Sequence, residues 1–82
     1  MTNKVKFAEL RRFLLDMGFC ENAGPNEIVF HHKASDTIFI FRPYRLGDAV
    51  ASYNMLDVQT MLDARGLMRA EIFEDQFKKT PA

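Results

Sequence analysis

Two consecutive runs, 27–33 and 37–44, are rich in Ile, Val, Phe and Thr and carry apolar side chains on both of their alternating faces. Period-two geometry puts Ile28, Phe30 and His32 on one side of the first run and Val29 and His31 on the other. In the second run, Ile38 and Ile40 oppose Phe39 and Phe41. Ala34-Ser35-Asp36-Thr37 carries turn chemistry, so the runs are expected to pair as an antiparallel hairpin. A sheet that is apolar on both faces needs cover on both. A chain of 82 residues has helices for one face. A partner, most simply a second copy in a homodimer, is therefore expected on the other. The expected interface residues are Phe39, Phe41 and Tyr44, and burying two exposed Phe side chains contributes about 3–6 kcal/mol before association costs.

The helices follow from spacing. Phe7, Leu10, Leu14 and Met17 recur at intervals of three and four, with Phe13 beside them. This predicts a helix over 4–17, capped by Thr2 or Asn3 and stopped at Gly18. Residues 19–22 make a weaker first strand, and the turn Ala23-Gly24-Pro25-Asn26 follows. Pro43 cannot donate to a ladder, so 42–48 leaves the sheet as a loop. Asp57 is expected to cap a helix over 58–65 that ends at Gly66, with Leu67 folding back on it; 49–56 fits no single pattern. A last short helix over 69–79 is expected to turn Ile72, Phe73 and Phe77 inward, with acids early and Lys78 and Lys79 late. The predicted fold is α+β, with one domain over 1–82. Its order is helix, three-stranded antiparallel sheet, helix and a short extra C-terminal helix.

Composition narrows the function. Eleven Lys plus Arg balance eleven Asp plus Glu, which excludes a nucleic-acid binder running on bulk positive charge. One cysteine, Cys20, builds neither an intramolecular disulfide nor a cysteine zinc site; beside Phe19 it is expected to be a buried small hydrophobe. No carboxylate spacing suggests metal ligation and no Gly-rich phosphate loop is present, so neither metal nor cofactor is expected. The N-terminus lacks the apolar stretch of a signal peptide, and no run approaches the roughly 20 apolar residues that span a bilayer. A cytoplasmic address without membrane contact is expected.

Three stretches then resemble the HicA toxin family, small bacterial toxins with a double-stranded-RNA-binding-domain-like fold. FLLDMGF closes a helix on Gly18-Phe19, a Gly24-led turn enters the strand NEIVFHH, and VQTMLDARGL resembles the family's C-terminal helix and its stop. The resemblance spans roughly 7–77. It implies an RNA-binding toxin of a toxin–antitoxin pair, with mRNA endoribonuclease activity and a cognate antitoxin as partner. In the family the catalytic group is the His of a Gly-Ser-His turn. Here Gly24 matches the Gly, Pro25 replaces the Ser and Asn26 replaces the His. A carboxamide neither takes nor delivers a proton at neutral pH. General acid–base catalysis contributes about 10²–10⁴-fold, so weak or absent nuclease activity is expected. The neutral charge and the long aromatic exit loop, FRPYRLGD, also depart from the family pattern.

Each remaining candidate has a functional and a structural reading. His31 and His32, on opposite strand faces, either substitute for the missing acid–base group or pack and hydrogen-bond the hairpin. The second is the commoner fate of an isolated histidine. Lys6, Arg11, Arg12, Lys33, Arg42 and Arg45 either meet an RNA backbone or provide solvated charge. Arg42, Tyr44 and Arg45 mix charge and aromatic character, suited to stacking on bases or to anchoring a protein interface, and the adjoining Phe39 and Phe41 favour the interface. Asp48 is positioned to pair with Arg45 and stiffen the loop. Two functions are therefore expected to compete: a HicA-like RNA-binding protein with weak or absent nuclease activity, and a non-enzymatic interaction module that self-associates through its sheet.

Overall fold

A computed structural model describes residues 5–77. The order is α1 (Phe7–Asp16), β1 (Cys20–Ala23), β2 (Ile28–His32), β3 (Thr37–Phe41), α2 (Ser52–Ala64) and α3 (Ala70–Phe77). The strands form one antiparallel sheet in the order β1-β2-β3, which gives the α+β architecture that the hydrophobic patterning predicts.

The turn between β2 and β3 sets the register, pairing His32 with Thr37, Phe30 with Phe39 and Ile28 with Phe41. Directly paired residues share a face, so Ile28, Phe30, Phe39 and Phe41 line the helix side together. All four are buried, with Phe7, Leu10 and Leu14 of α1 and Val58 and Leu62 of α2 in the same core. Cys20, Asn22, Val29, His31, Ile38 and Ile40 make up the opposite, outer face. The expected interface residues Phe39, Phe41 and Tyr44 thus belong to the chain's own core. Their rings are larger than the isoleucines, and Phe7 stacks on Tyr44 at 5.3 Å and meets Phe41 edge-on at 6.1 Å. Cys20 is exposed on the outer face, not buried.

α1 begins later than its apolar spacing suggests, because Lys6 bridges Ala49 and Val50 N–H donates to Val5 O at 2.8 Å. Thr2 and Asn3 lie outside the described residues. The exit loop supplies the cap instead: Phe7 N–H donates to Asp48 O at 2.8 Å and Ala8 N–H to Leu46 O at 3.0 Å. Two of the four amides that a helix start leaves unpaired are satisfied in this way. Glu9 reaches back to the Lys6 N–H at 2.9 Å.

Both long helices end in the same closure. Phe19 N–H bonds Leu14 O and Gly18 N–H bonds Leu15 O; Leu67 N–H bonds Leu62 O and Gly66 N–H bonds Asp63 O. These are Schellman pairs, with glycine in the positive-φ position that they require. α2 starts at Ser52, so Asp57 lies inside it rather than capping it. α3 packs across α1 through Phe13, Phe73 and Phe77, with ring centroids 4.9–5.5 Å apart. Ile72, expected inward, is exposed. Lys78 and Lys79 lie outside the described residues.

Candidate functional site

Asn26 stands exposed in the four-residue turn between β1 and β2, which Gly24 N–H closes on Glu27 O at 2.8 Å. His31 and His32 sit at the other end of β2, a strand length away. The fold does not bring them to the Asn26 turn. Both are engaged at the β2–β3 turn. A carboxylate only accepts, so His31 Nε2–H donates to Asp36 Oδ1, 3.1 Å away. His32 Nδ1 lies 2.8 Å from Ser35 Oγ, which lies 2.7 Å from the Oγ1 of fully buried Thr37. The His32 ring also packs on Phe19 at 5.1 Å. A serine hydroxyl within reach of an imidazole has the spacing of a nucleophile and base. Here that hydroxyl is shared with Thr37, and the three groups satisfy one another inside the turn. The pattern His32, Ser35, Thr37 around a tight turn was the available signal for this network.

The six basic candidates do not form one surface. Arg11 pairs with Glu21 at 2.8 Å and Arg12 with Asp16 at 3.2 Å. Lys33 lies in the β2–β3 turn, whereas Arg42 and Arg45 lie beyond the opposite end of β3. Lys6 is at the foot of α1, beside the exit loop. The Arg42 guanidinium sits over the Tyr44 ring at 5.0 Å and donates to the Tyr53 hydroxyl at 2.9 Å. Tyr44 and then Tyr53 hold it protonated above its already high ordinary value. The Asp48 carboxylate accepts from the Arg45 backbone N–H at 2.8 Å, so the expected contact is a turn hydrogen bond and not an ion pair.

Tyr44 is a structural hub. Its hydroxyl donates to Asn54 Oδ1 at 2.6 Å and accepts the Ala51 N–H at 3.0 Å, tying the exit loop to the start of α2. Tyr44→Phe keeps the ring packing and orphans both partners. It is expected to cost about 1–3 kcal/mol in urea unfolding, with little change in the m-value.

The remaining distinctive surface is apolar. Among the described residues the large hydrophobic side chains left exposed are Ile38 (49%), Ile40 (61%), Leu46, Tyr53 (61%), Leu56 (60%) and Ile72. Ile38, Ile40 and Leu56 line one groove of about 410 Å³ between β3 and α2, together with Asp57, Thr60 and Ala64. Tyr53, near the start of α2, is held by Arg42, the residue that follows β3. Among the paired strand residues the outer sheet face carries no Asp, Glu, Lys or Arg, and its one titratable ring, His31, is held by Asp36 of the adjoining turn. No cluster of three or more metal-ligating side chains occurs among the described residues, and no described helix is long and apolar enough to cross a membrane. Comparison with protein-family models, with curated proteins and with solved structures finds no match.

Proposed function

We propose that the protein is a non-enzymatic interaction module that self-associates through its sheet. The observation that carries this reading is the gathering of exposed Ile38, Ile40 and Leu56 on one groove, next to a sheet face whose strand residues include no Asp, Glu, Lys or Arg and whose His31 is paired with Asp36. An isologous contact sets a patch against its own copy, and a face whose strand residues include no Asp, Glu, Lys or Arg does so with little like-charge penalty. Covering two half-exposed isoleucines contributes about 1.5–3 kcal/mol per protomer, which fits a weak dimer rather than an obligate one. On this reading the histidines and the exit loop are structural.

Sedimentation velocity is expected to reveal a concentration-dependent dimer whose affinity is unchanged between about 50 and 500 mM salt, since no ion pair lies at its centre. Labelled RNA is expected to remain unbound in the same buffers. A chain that stays monomeric at every concentration overturns the reading.

A second reading follows from the element order helix–strand–strand–strand–helix, the order that the HicA resemblance implies. It is an RNA-binding protein of toxin–antitoxin type with weak or absent endoribonuclease activity and a cognate antitoxin partner. RNA affinity falling steeply with added salt would favour it over self-association.

A further inference from the structure

We propose that two copies join edge to edge, their β3 strands pairing antiparallel about Phe39 so that two three-stranded sheets become one of six. The inference rests on the self-association reading and specifies its geometry.

β3 is the last strand of the sheet, and among the described residues nothing pairs with its outer edge. Four consecutive residues, Ile38, Phe39, Ile40 and Phe41, line the groove against α2. Successive side chains point to opposite faces, so a groove bordered by all four runs along the backbone edge and not over one face. It therefore presents unused N–H and C=O groups beside a wall of mixed character, with Leu56, Met61 and Ala64 apolar and Asn54, Asp57 and Thr60 polar, a setting that can receive an added strand.

The two edges of this sheet are built differently. β1 is four residues long, mostly exposed, and reads Cys-Glu-Asn-Ala, with Glu21 as a charged group. β3 reads Thr-Ile-Phe-Ile-Phe, without charge, proline or glycine. Proteins blunt free edges with such residues, and a flat, uncharged edge of high β propensity left open is a template for another strand. β3 carries none of these protections, which is expected of an edge that is covered in use.

The strand's own sequence suits a second copy as the occupant, because it sets no charged residue against itself. Antiparallel pairing of Thr37–Phe41 with itself keeps all five residues in register only when Phe39 faces Phe39 of the partner subunit. Ile38 then lies opposite Ile40 of the partner subunit, and Thr37 opposite Phe41 of the partner subunit. Paired residues keep the same face, so phenylalanines join the inner layer and isoleucines form one outer stripe. No like charges meet on the strands. Asp57 is the one charged side chain lining the groove, and it stands on the α2 wall.

The test uses the full chain at concentrations spanning the monomer–dimer transition. Edge pairing is expected to slow exchange of the alternate β3 amides by at least tenfold in the dimer. Cys20, on the outer face of the opposite edge, should stay equally reactive to a thiol reagent. Ile38→Lys with Ile40→Lys places lysines opposite lysines and is expected to weaken the dimer at least tenfold. Ile38→Glu with Ile40→Lys places opposite charges together and is expected to restore it. Both positions are solvent-exposed in the monomer, and circular dichroism checks that each variant folds. A dimer with unprotected β3 amides and shielded Cys20 is a face-to-face stack and overturns edge pairing while leaving self-association intact. A Glu/Lys variant no tighter than the Lys/Lys variant overturns the register. A wild-type chain that is monomeric throughout overturns both.

Discussion

Phe7→Ala is expected to be the most damaging single substitution in the described chain, lowering stability by about 3–5 kcal/mol. Phe7 is the first residue of α1 and almost wholly buried, and its ring contacts three other aromatic rings. Phe30 of β2 lies 6.3 Å away, Phe41 of β3 6.1 Å and Tyr44 of the exit loop 5.3 Å. Truncation therefore removes transfer free energy and leaves a cavity bounded by helix, sheet and loop at once. The loop in turn holds the first amides of α1 through Leu46 O and Asp48 O, so loosening it costs hydrogen bonds as well. A domain of this size has about 4–12 kcal/mol of total stability, and a loss near the upper estimate leaves much of the population unfolded at 37 °C. Urea titration is the measurement, with Phe13→Ala as the comparison. Phe13 is only partly buried and contacts Phe73 and Phe77 of α3. Its truncation is expected to shift the midpoint less. Equal shifts would mean that α3 and the main core share the load, contrary to the burial pattern.

What the sequence disclosed and what it withheld divide along the range of the interactions. The helix stops at Gly18-Phe19 and Gly66-Leu67 were legible because a Schellman closure is specified within six residues. The hairpin was legible from its β-branched and aromatic runs. The inward face was harder, since Ile38, Phe39, Ile40 and Phe41 offer no alternation of polarity. The register gives only a divided signal: pairing across the turn puts polar His31 opposite Ile38 on the solvent side, but it also puts polar His32 opposite Thr37 on the core side with Phe30 and Phe39. The start of α2 gave no such sign. Ala51 is a poor cap, and its amide is held by the Tyr44 hydroxyl from seven residues away. The exit loop, read as a candidate stacking or interface surface, holds the start of α1 through backbone carbonyls that side-chain identity does not announce. Of the candidate site, the resemblance marked the Asn26 turn, whereas the groove needed the placement of α2 beside β3, which no local pattern contains.

Gly18→Ala is expected to cost about 2 kcal/mol, lowering Tm by roughly 8–16 °C for a domain of this length. Gly66→Ala, at the matching position of the second closure, is expected to cost about 1 kcal/mol. The hydrogen bonds at the two sites are equivalent, and space does not separate them. An added Cβ at Gly18 meets the His32 ring at 3.8 Å, an ordinary contact, and at Gly66 meets nothing within 4 Å. The difference is in the backbone. Gly66, at φ +71°, lies near the left-handed region that other residues enter at modest cost, whereas Gly18, at φ +99°, lies well outside it. Asparagine separates the causes, because its side chain tolerates the left-handed region. Gly66→Asn is expected to be nearly neutral in thermal unfolding and Gly18→Asn to remain destabilising. Gly18 also sets where Phe19 enters the core against Phe39, 5.4 Å away, and His32, so strain there is transmitted to the β2–β3 turn. If Asn rescues both positions equally, the φ of Gly18 carries no special cost, and the tight joint between α1 and the sheet must be attributed to packing around Phe19 alone.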